Sequence, residues 1–170
     1  MRAILLFGLI CLSISFVLLN QKEPTLINTG IYHIGVNDHI TDLFEGQYPI
    51  PNGISYNSYL IVDSETAVID TVDERFRSEW LQNIEKVLND KSPDYLVIQH
   101  MEPDHAGSID HFMQKYPKTK IVSSVKAFKM MTNFFGTDYN ERNIVIKEGS
   151  TLEVGKHTLT FVEAPMVHWP

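Results

Sequence analysis

Four side chains that can bind metal lie within six consecutive positions of the sequence, His100-Met101-Glu102-Pro103-Asp104-His105. His100 and Glu102 are two residues apart, so in an extended segment they project to the same side. Pro103 fixes the backbone and turns the chain, which lets Asp104 and His105 face a second ion beside the first. Imidazole and carboxylate ligands suit zinc, iron or manganese. The hexapeptide therefore predicts a metal site, with a solvated polar loop as the plainer alternative.

The elements around this hexapeptide predict a mixed α/β domain. The continuous apolar run Asp94–Ile98 is typical of a strand covered on both faces, and α/β folds place their sites after such strands. Gly107 is expected to let the backbone pass close and to start a helix. The other predicted strands are 31–36, 55–62, 67–72, 120–123, 144–147, 152–154 and 158–163, and the predicted helices are 73–89, with Asp73 as N-cap, 107–115 and 125–135.

Composition excludes two classes of protein. The formal net charge is −7 and no Lys/Arg cluster is present, so a nucleic-acid-binding surface is not expected. Cys11 is the only cysteine, which rules out an internal disulfide and a sulfur-rich metal site. Any metal would be bound by His and carboxylate.

The N-terminus is a separate region. Residues 3–19 form an apolar run, near the lower limit of about 17 residues for spanning a bilayer. A membrane anchor, a signal peptide with Ser13-Ile14-Ser15 as its cleavage site, and upstream sequence joined by a wrong start codon all remain open. We expect residues 1–28 to be this segment and a linker, and residues 29–170 to be the folded domain.

The motifs together resemble a known family. The His-x-Glu-x-Asp-His pattern, followed by His168 in "APMVHWP", is similar to the diiron domain of the flavo-diiron proteins (A-type flavoproteins). The stretches "IYHIGVND", "PIPNGISYNSYLIVD", "AVIDTV", "HMEPDHAGS" and "GSTLEVGKHTLTFVEAPMVHWP" agree, so the resemblance covers Ile31 to Pro170. It implies a metallo-β-lactamase-like αββα sandwich.

By motif position, the resemblance implies a ligand set for two irons. His100, Glu102 and His168 would bind one iron, and Asp104 and His105 the second, although which of these residues coordinate varies among relatives. Trp169 lies where the family places an aromatic residue near the flavin of a partner subunit, although simple packing is an equal alternative. Asp70, at the end of "AVIDT", would either orient the metal loop from behind the ligands or cap its own strand.

The function that the resemblance implies is the reduction of O₂ or NO. Electrons would come from FMN in a head-to-tail homodimer, supplied by a donor such as rubredoxin or a flavin reductase, in the cytoplasm. The wider superfamily commonly has His-x-His-x-Asp-His and binds zinc for hydrolysis, whereas the carboxylate of Glu102 favours iron. A metal-dependent hydrolase and an inactive metal-binding remnant are the alternatives.

The sequence departs from the family after Trp169. Relatives have a bridging carboxylate and a further His downstream of "HWP", and then a flavodoxin-like domain that binds FMN. This sequence ends at Pro170. We therefore expect a sandwich and a metal site that are incomplete at the C-terminus, and no binding of FMN by this chain alone.

Overall fold

The computed structural model describes residues 2–3, 23–137 and 139–164. Its strands are β1 (Arg2–Ala3), β2 (Thr25–Asn28), β3 (Ile31–His33), β4 (Val36–Asp38), β5 (Leu43–Phe44), β6 (Tyr48–Pro49), β7 (Ile54–Tyr56), β8 (Tyr59–Val62), β9 (Thr66–Ile69), β10 (Tyr95–Val97), β11 (Lys120–Ser123), β12 (Asn143–Val145), β13 (Thr151–Val154) and β14 (His157–Thr160). Its α-helices are α1 (Arg77–Leu88), α2 (Pro103–Ala106), α3 (Ile109–Lys115) and α4 (Val125–Phe135), and short 3₁₀ turns cover Glu74–Phe76 and Asn140–Arg142.

The main sheet has seven strands in the order β12-β11-β10-β9-β8-β3-β2. Strands β9 to β12 are parallel, and β8, β3 and β2 extend the sheet in antiparallel fashion. A second sheet has the order β1-β14-β13. Because the carboxyl ends of β9 and β10 meet at one edge, the loops after these two strands lie side by side.

Two hydrophobic cores separate the described layers. The larger lies between the main sheet and the helices, where Trp80 of α1 packs on Phe112 of α3 at 5.5 Å between ring centroids. The smaller joins the two sheets and includes Val97, Val122 and Leu159. Helices, large sheet and small sheet thus stack in the order that the predicted sandwich requires, and the expected fold class is confirmed.

Local sequence explains where the helices stop. In α1, Trp80, Ile84 and Leu88 recur every four residues and are buried, as on one face of a helix. The helix ends at Asn89, which takes the left-handed conformation with φ of 48°. Asp73 is a cap, as predicted, but it caps the preceding 3₁₀ turn by accepting from the backbone N–H of Arg75 at 2.9 Å.

Three predicted elements are interrupted or displaced. The predicted strand 31–36 breaks between β3 and β4, where a Cβ at Gly35 would overlap the carbonyl oxygen of Tyr56. The predicted strand 55–62 breaks between β7 and β8 at Asn57-Ser58. The helix predicted at 107–115 is present as α3, which starts two residues later at Ile109, and the separate short helix α2 precedes it at Pro103–Ala106. Gly107 does make the expected close approach, because a Cβ there would lie 2.7 Å from the carbonyl oxygen of Pro103.

Among the described residues, no helix is long and apolar enough to cross a membrane. The apolar run 3–19 lies outside the described residues except for Ala3. That residue and Arg2 form β1, which pairs in parallel with β14 through Arg2–Thr158 and Ala3–Leu159.

Candidate metal centre

The hexapeptide follows β10, is extended as far as Glu102 and becomes helical at Pro103. Glu102 is extended, with φ −68° and ψ 145°, and Pro103 occupies the first turn of α2. Proline is favoured there because the missing N–H would have no helical partner and its φ suits the helix. The N–H groups of His105 and Ala106 both donate to the carbonyl oxygen of Glu102, at 2.9 and 2.8 Å. Asp104 and His105 therefore lie on a tight turn directly beyond the extended residues.

Three of the predicted ligands come together around the ring of His105. Its Nε2 atom lies 3.3 Å from Oδ2 of Asp104. The ring of His100 lies 4.1 Å from it between centroids, at an interplanar angle of 62°. The side chains of His105 and Asp104 are only 16% and 15% exposed. The turn at Pro103 thus folds the second half of the motif back onto the first.

Asp70 contacts the opposite side of the same ring. Its Oδ2 atom lies 3.3 Å from Nδ1 of His105, and its side chain is 6% exposed. Histidine that binds metal through one nitrogen usually donates its other N–H to a carboxylate or carbonyl, which fixes the ring. The contact is the one that an orienting role for Asp70 requires, and the role itself stays a prediction.

The backbone of His105 is fixed by the residue after Asp70. Thr71 donates to the carbonyl oxygen of His105 both from its backbone N–H and from its hydroxyl, each at 2.8 Å. The Thr71 hydroxyl oxygen also accepts from the N–H of Ser108 at 3.2 Å. Consecutive residues after β9 therefore hold the ring and the main chain of His105.

Sequence reasoning missed Thr71 and also Gln99, the residue before His100. Gln99 donates to Asp70 twice, from its backbone N–H to Oδ1 at 2.8 Å and from its side-chain amide to Oδ2 at 3.0 Å. The one available signal was position, since Gln99 directly precedes the first predicted ligand and follows a buried strand. Nothing in its residue type indicated a bond to a residue 29 positions away.

Electrostatics separate the two histidines. Burial disfavours a charged His105, but its hydrogen bonds to Asp104 and Asp70 and their negative charges outweigh burial and raise the pKa of His105 to about 10. Burial and then the neighbouring His105 lower the pKa of His100 below its ordinary value. Burial alone would raise the pKa of Asp104, yet the hydrogen bond from His105 and the charges of both histidines lower it. Asp104 is therefore ionised and His100 neutral, the forms in which each binds metal.

The donor chemistry fits a metal, although the described residues supply only part of a site. Two ligands at right angles on one ion, with bonds of about 2.1 Å, have donor atoms about 3 Å apart, close to the separation of His105 Nε2 and Asp104 Oδ2. Within residues 23–137 and 139–164, no three His, Cys, Asp or Glu side chains are grouped so as to hold one ion. The predicted ligand His168 and the aromatic Trp169 lie outside the described residues. Imidazole and carboxylate without thiolate suit iron or zinc.

Comparison with known proteins identifies the family. The model of the "ODP family beta lactamase" matches residues 54–170. This chain belongs to that family. Its residues are 37% identical over 152 positions to the nitric oxide reductase of Moorella thermoacetica, covering 88% of this chain and 38% of that protein. The predicted resemblance to the flavo-diiron proteins is thereby confirmed.

Solved structures agree with this assignment. Rubredoxin oxygen:oxidoreductase from Desulfovibrio gigas matches with a TM-score of 0.81 and 38% identity, over 87% of this chain and 37% of that one. The flavodiiron protein of Giardia intestinalis matches with a TM-score of 0.79 and 34% identity, over 87% and 36%. This ODP-family chain therefore spans little more than a third of the length of these relatives.

Proposed function

We propose that this chain provides diiron-binding residues of a flavo-diiron oxidoreductase that reduces O₂ or NO. The observation that carries the proposal is the convergence of His100, Asp104 and His105 after β10, with Asp70 behind the ring of His105. Support comes from the relatives, one named a nitric oxide reductase and one a rubredoxin oxygen:oxidoreductase.

The ligands would divide between two irons as the motif implies. His100, Glu102 and His168 would hold one ion, and Asp104 and His105 the other. Glu102 supports iron over zinc because a carboxylate adds negative charge and a hard oxygen ligand where the wider superfamily has histidine. A pair of irons would supply the electron transfer to O₂ or NO when bound.

The residues around the ligands prepare them for this role. Asp70 accepts from Nδ1 of His105, which directs Nε2 towards Asp104. Burial keeps His100 neutral, so a ring nitrogen retains its lone pair. Met101, between the ligands in sequence, is 1% exposed and anchors the loop in the helix-side core. Loading of a metal would displace a proton from His105, whose raised pKa leaves it charged at neutral pH.

The remaining components of the proposal come from the family. They are a domain at residues 29–170, FMN bound by a flavodoxin-like domain, a head-to-tail homodimer in which Trp169 lies near the partner's flavin, a rubredoxin or flavin-reductase donor, and a cytoplasmic location. The name rubredoxin oxygen:oxidoreductase supports a donor of the rubredoxin type. Residues 1–28 remain the predicted N-terminal segment and linker, although Arg2–Ala3 and Thr25–Asn28 pair with strands of the two sheets.

The test is the choice of metal. The protein is loaded anaerobically with equal Fe(II) and Zn(II), and bound metal is counted by mass spectrometry. We expect the ratio of bound iron to bound zinc to be higher in the unmodified protein than in Glu102→His, which has the His-x-His pattern of the hydrolases. Glu79→His, on the exposed side of α1, is the matched control and should leave the ratio unchanged.

Each alternative predicts another result. Zinc bound in preference to iron, together with ester or lactam hydrolysis, would replace the proposal with the hydrolase. Failure to bind either metal would favour the inactive remnant. Iron binding with O₂ or NO consumption in the presence of a chemical reductant would support the oxidoreductase.

A further inference from the structure

A chain of hydrogen bonds ties Asp70 to the two strands beside it and to α1. The N–H of Asp70 donates to the carbonyl oxygen of Val97 at 2.8 Å. The hydroxyl of Ser58 donates to the carbonyl oxygen of Asp70 at 2.9 Å, and the indole N–H of Trp80 donates to that hydroxyl at 2.9 Å. Ser58 and Trp80 are fully buried. The main chain of Asp70 is therefore fixed from both sides.

The backbone of Asp70 is in a conformation that side chains rarely adopt. Its φ is 54°, in the left-handed region, which for a residue other than glycine costs free energy and persists only where surrounding contacts determine it. This turn aims the carboxylate away from the strand and towards the loop after β10. With the main chain fixed, the carboxylate can still move by rotation about the two side-chain bonds of Asp70.

Gln99 removes that freedom. Its backbone N–H donates to Oδ1 at 2.8 Å, and its side-chain amide donates to Oδ2 at 3.0 Å, so one residue holds both carboxylate oxygens. Oδ2 is the same atom that lies 3.3 Å from Nδ1 of His105. With both oxygens held, Oδ2 cannot rotate away from the imidazole.

The chemistry of the amide matters as much as its reach. A lysine or arginine at position 99 could also donate to Asp70, but its positive charge would neutralise the carboxylate and compete with His105. A glutamate would have no donor and would repel Asp70. A neutral amide fixes the carboxylate and leaves its full negative charge to act on the imidazole.

We propose that Gln99 is a positioning residue, which locks the Asp70 carboxylate so that His105 presents Nε2 on the side of Asp104. The consequence for metal binding rests on the proposed function. The lock itself can be read in the metal-free protein, so failure of one is distinguishable from failure of the other.

The first experiment follows the Nδ1–H proton of His105 by NMR in chelator-treated, ¹⁵N-labelled protein. A carboxylate can only accept, so Nδ1 carries the proton in its contact with Asp70. We expect Gln99→Met, which keeps the length but removes the donor, to speed its solvent exchange by about tenfold, the effect of losing a bond to a charged group. An unchanged exchange rate in a folded Gln99→Met protein would overturn the proposal.

Gln114→Met is the matched control. Gln114 also donates its amide to an aspartate, Oδ2 of Asp110 at 2.6 Å, but on the exposed face of α3. It should leave the His105 proton unaffected. Should Gln99→Met fail to fold, the unmodified protein still decides. The Gln99 amide protons should exchange about tenfold more slowly than those of exposed Gln82, and equal rates would refute the lock.

The second experiment titrates cobalt(II) alone into the unmodified protein, Gln99→Met and Gln114→Met. We expect Gln99→Met to bind about tenfold more weakly, as for other changes to groups that orient metal ligands, with an altered visible absorption of bound cobalt. Faster exchange with unchanged affinity and spectrum would overturn the link to metal binding. Absence of cobalt binding by the unmodified protein would instead count against the proposed function.

Discussion

Two buried aspartates, Asp38 and Asp70, each end a strand and each organise the loop beside them. Asp38 is fully buried and accepts from the N–H groups of Ile40 and Thr41, the hydroxyl of Thr41 and the hydroxyl of Tyr56. Arg75 approaches to 3.8 Å. The hydrogen-bond donors belong to the loop itself and to Tyr56 of the paired strand β7, so the carboxylate closes the loop after β4 and stabilises it.

Asp70 differs in one donor. Two of its hydrogen bonds come from Gln99, but the third partner is a histidine whose other nitrogen faces Asp104. A buried carboxylate can therefore either fix its own loop or hold a side chain of a neighbouring loop. Asp38 uses all its acceptor capacity to fix its own loop, whereas Asp70 uses part of it to hold the ring of His105, a predicted ligand.

The largest expected effect comes from removing the structural carboxylate. Asp38→Ala removes the acceptor of the buried Tyr56 hydroxyl and of the half-buried donors of Thr41, so the free energy of unfolding should fall by about 3 kcal/mol. Urea unfolding followed by circular dichroism measures this. Asp42→Ala, at an exposed position of the same loop, should change it by less than about 0.5 kcal/mol. Equal effects of the two would show that Asp38 does not hold the loop.

Asp70→Asn should affect metal binding more than it affects stability. The amide keeps the shape but loses the negative charge facing His105, so metal affinity should fall by roughly 10- to 100-fold. The free energy of unfolding should fall by only about 1–2 kcal/mol. Cobalt titration and urea unfolding measure the two effects. Asp94→Asn is the control, because Asp94 accepts from the N–H and hydroxyl of Thr66. It should lower stability alone, and a comparable loss of affinity there would remove the distinction.

The contribution of Asp38 to stability should also depend on pH. Burial would raise the pKa of Asp38, but the hydrogen bonds from Thr41, Ile40 and Tyr56 lower it below its ordinary value. Because the folded pKa is lowered, the stabilisation is complete above the unfolded pKa of about 3.9. It is lost as pH falls through the folded value. Unfolding midpoints in urea between pH 5 and pH 3 should therefore drop more steeply in the unmodified protein than in Asp38→Asn, and parallel curves would contradict this.

The fold could be predicted from sequence where burial has a simple period. The apolar run at β10, the helical spacing of Trp80 and Ile84, and the Ser124 to Gly136 boundaries of α4 all express local rules. The breaks after β3 and β7 could not be predicted in this way. They arise because distant backbones come close at Gly35 and Tyr56, a tertiary constraint that leaves no periodic signal.

In the candidate site, too, local sequence indicates some residues, whereas others depend on tertiary contacts. His100, Asp104 and His105 were found because ligand types crowd one short segment, and the fold brings them together as expected. As metal ligands, His100, Glu102, Asp104, His105 and His168 all stay predictions, as does Trp169 as a neighbour of a cofactor. Gln99 and Thr71 were missed because neither residue type suggests a role, and each acts through a bond formed only when β9 and β10 lie side by side.

The smallest effect tests whether the His105 main chain is held by Thr71 as its ring is by Asp70. Thr71→Val keeps the shape but removes a hydroxyl that donates to His105 and accepts from Ser108. The free energy of unfolding should therefore fall by about 1 kcal/mol. The His105 Nδ1–H proton should also exchange faster, because the turn that carries the ring loosens. Thr132→Val is the control, since the Thr132 hydroxyl donates to the carbonyl of Phe128 in its own helix, a contact that adds little stability. If both variants lose the same stability and neither alters exchange at His105, Thr71 belongs with Asp38 as a purely structural residue.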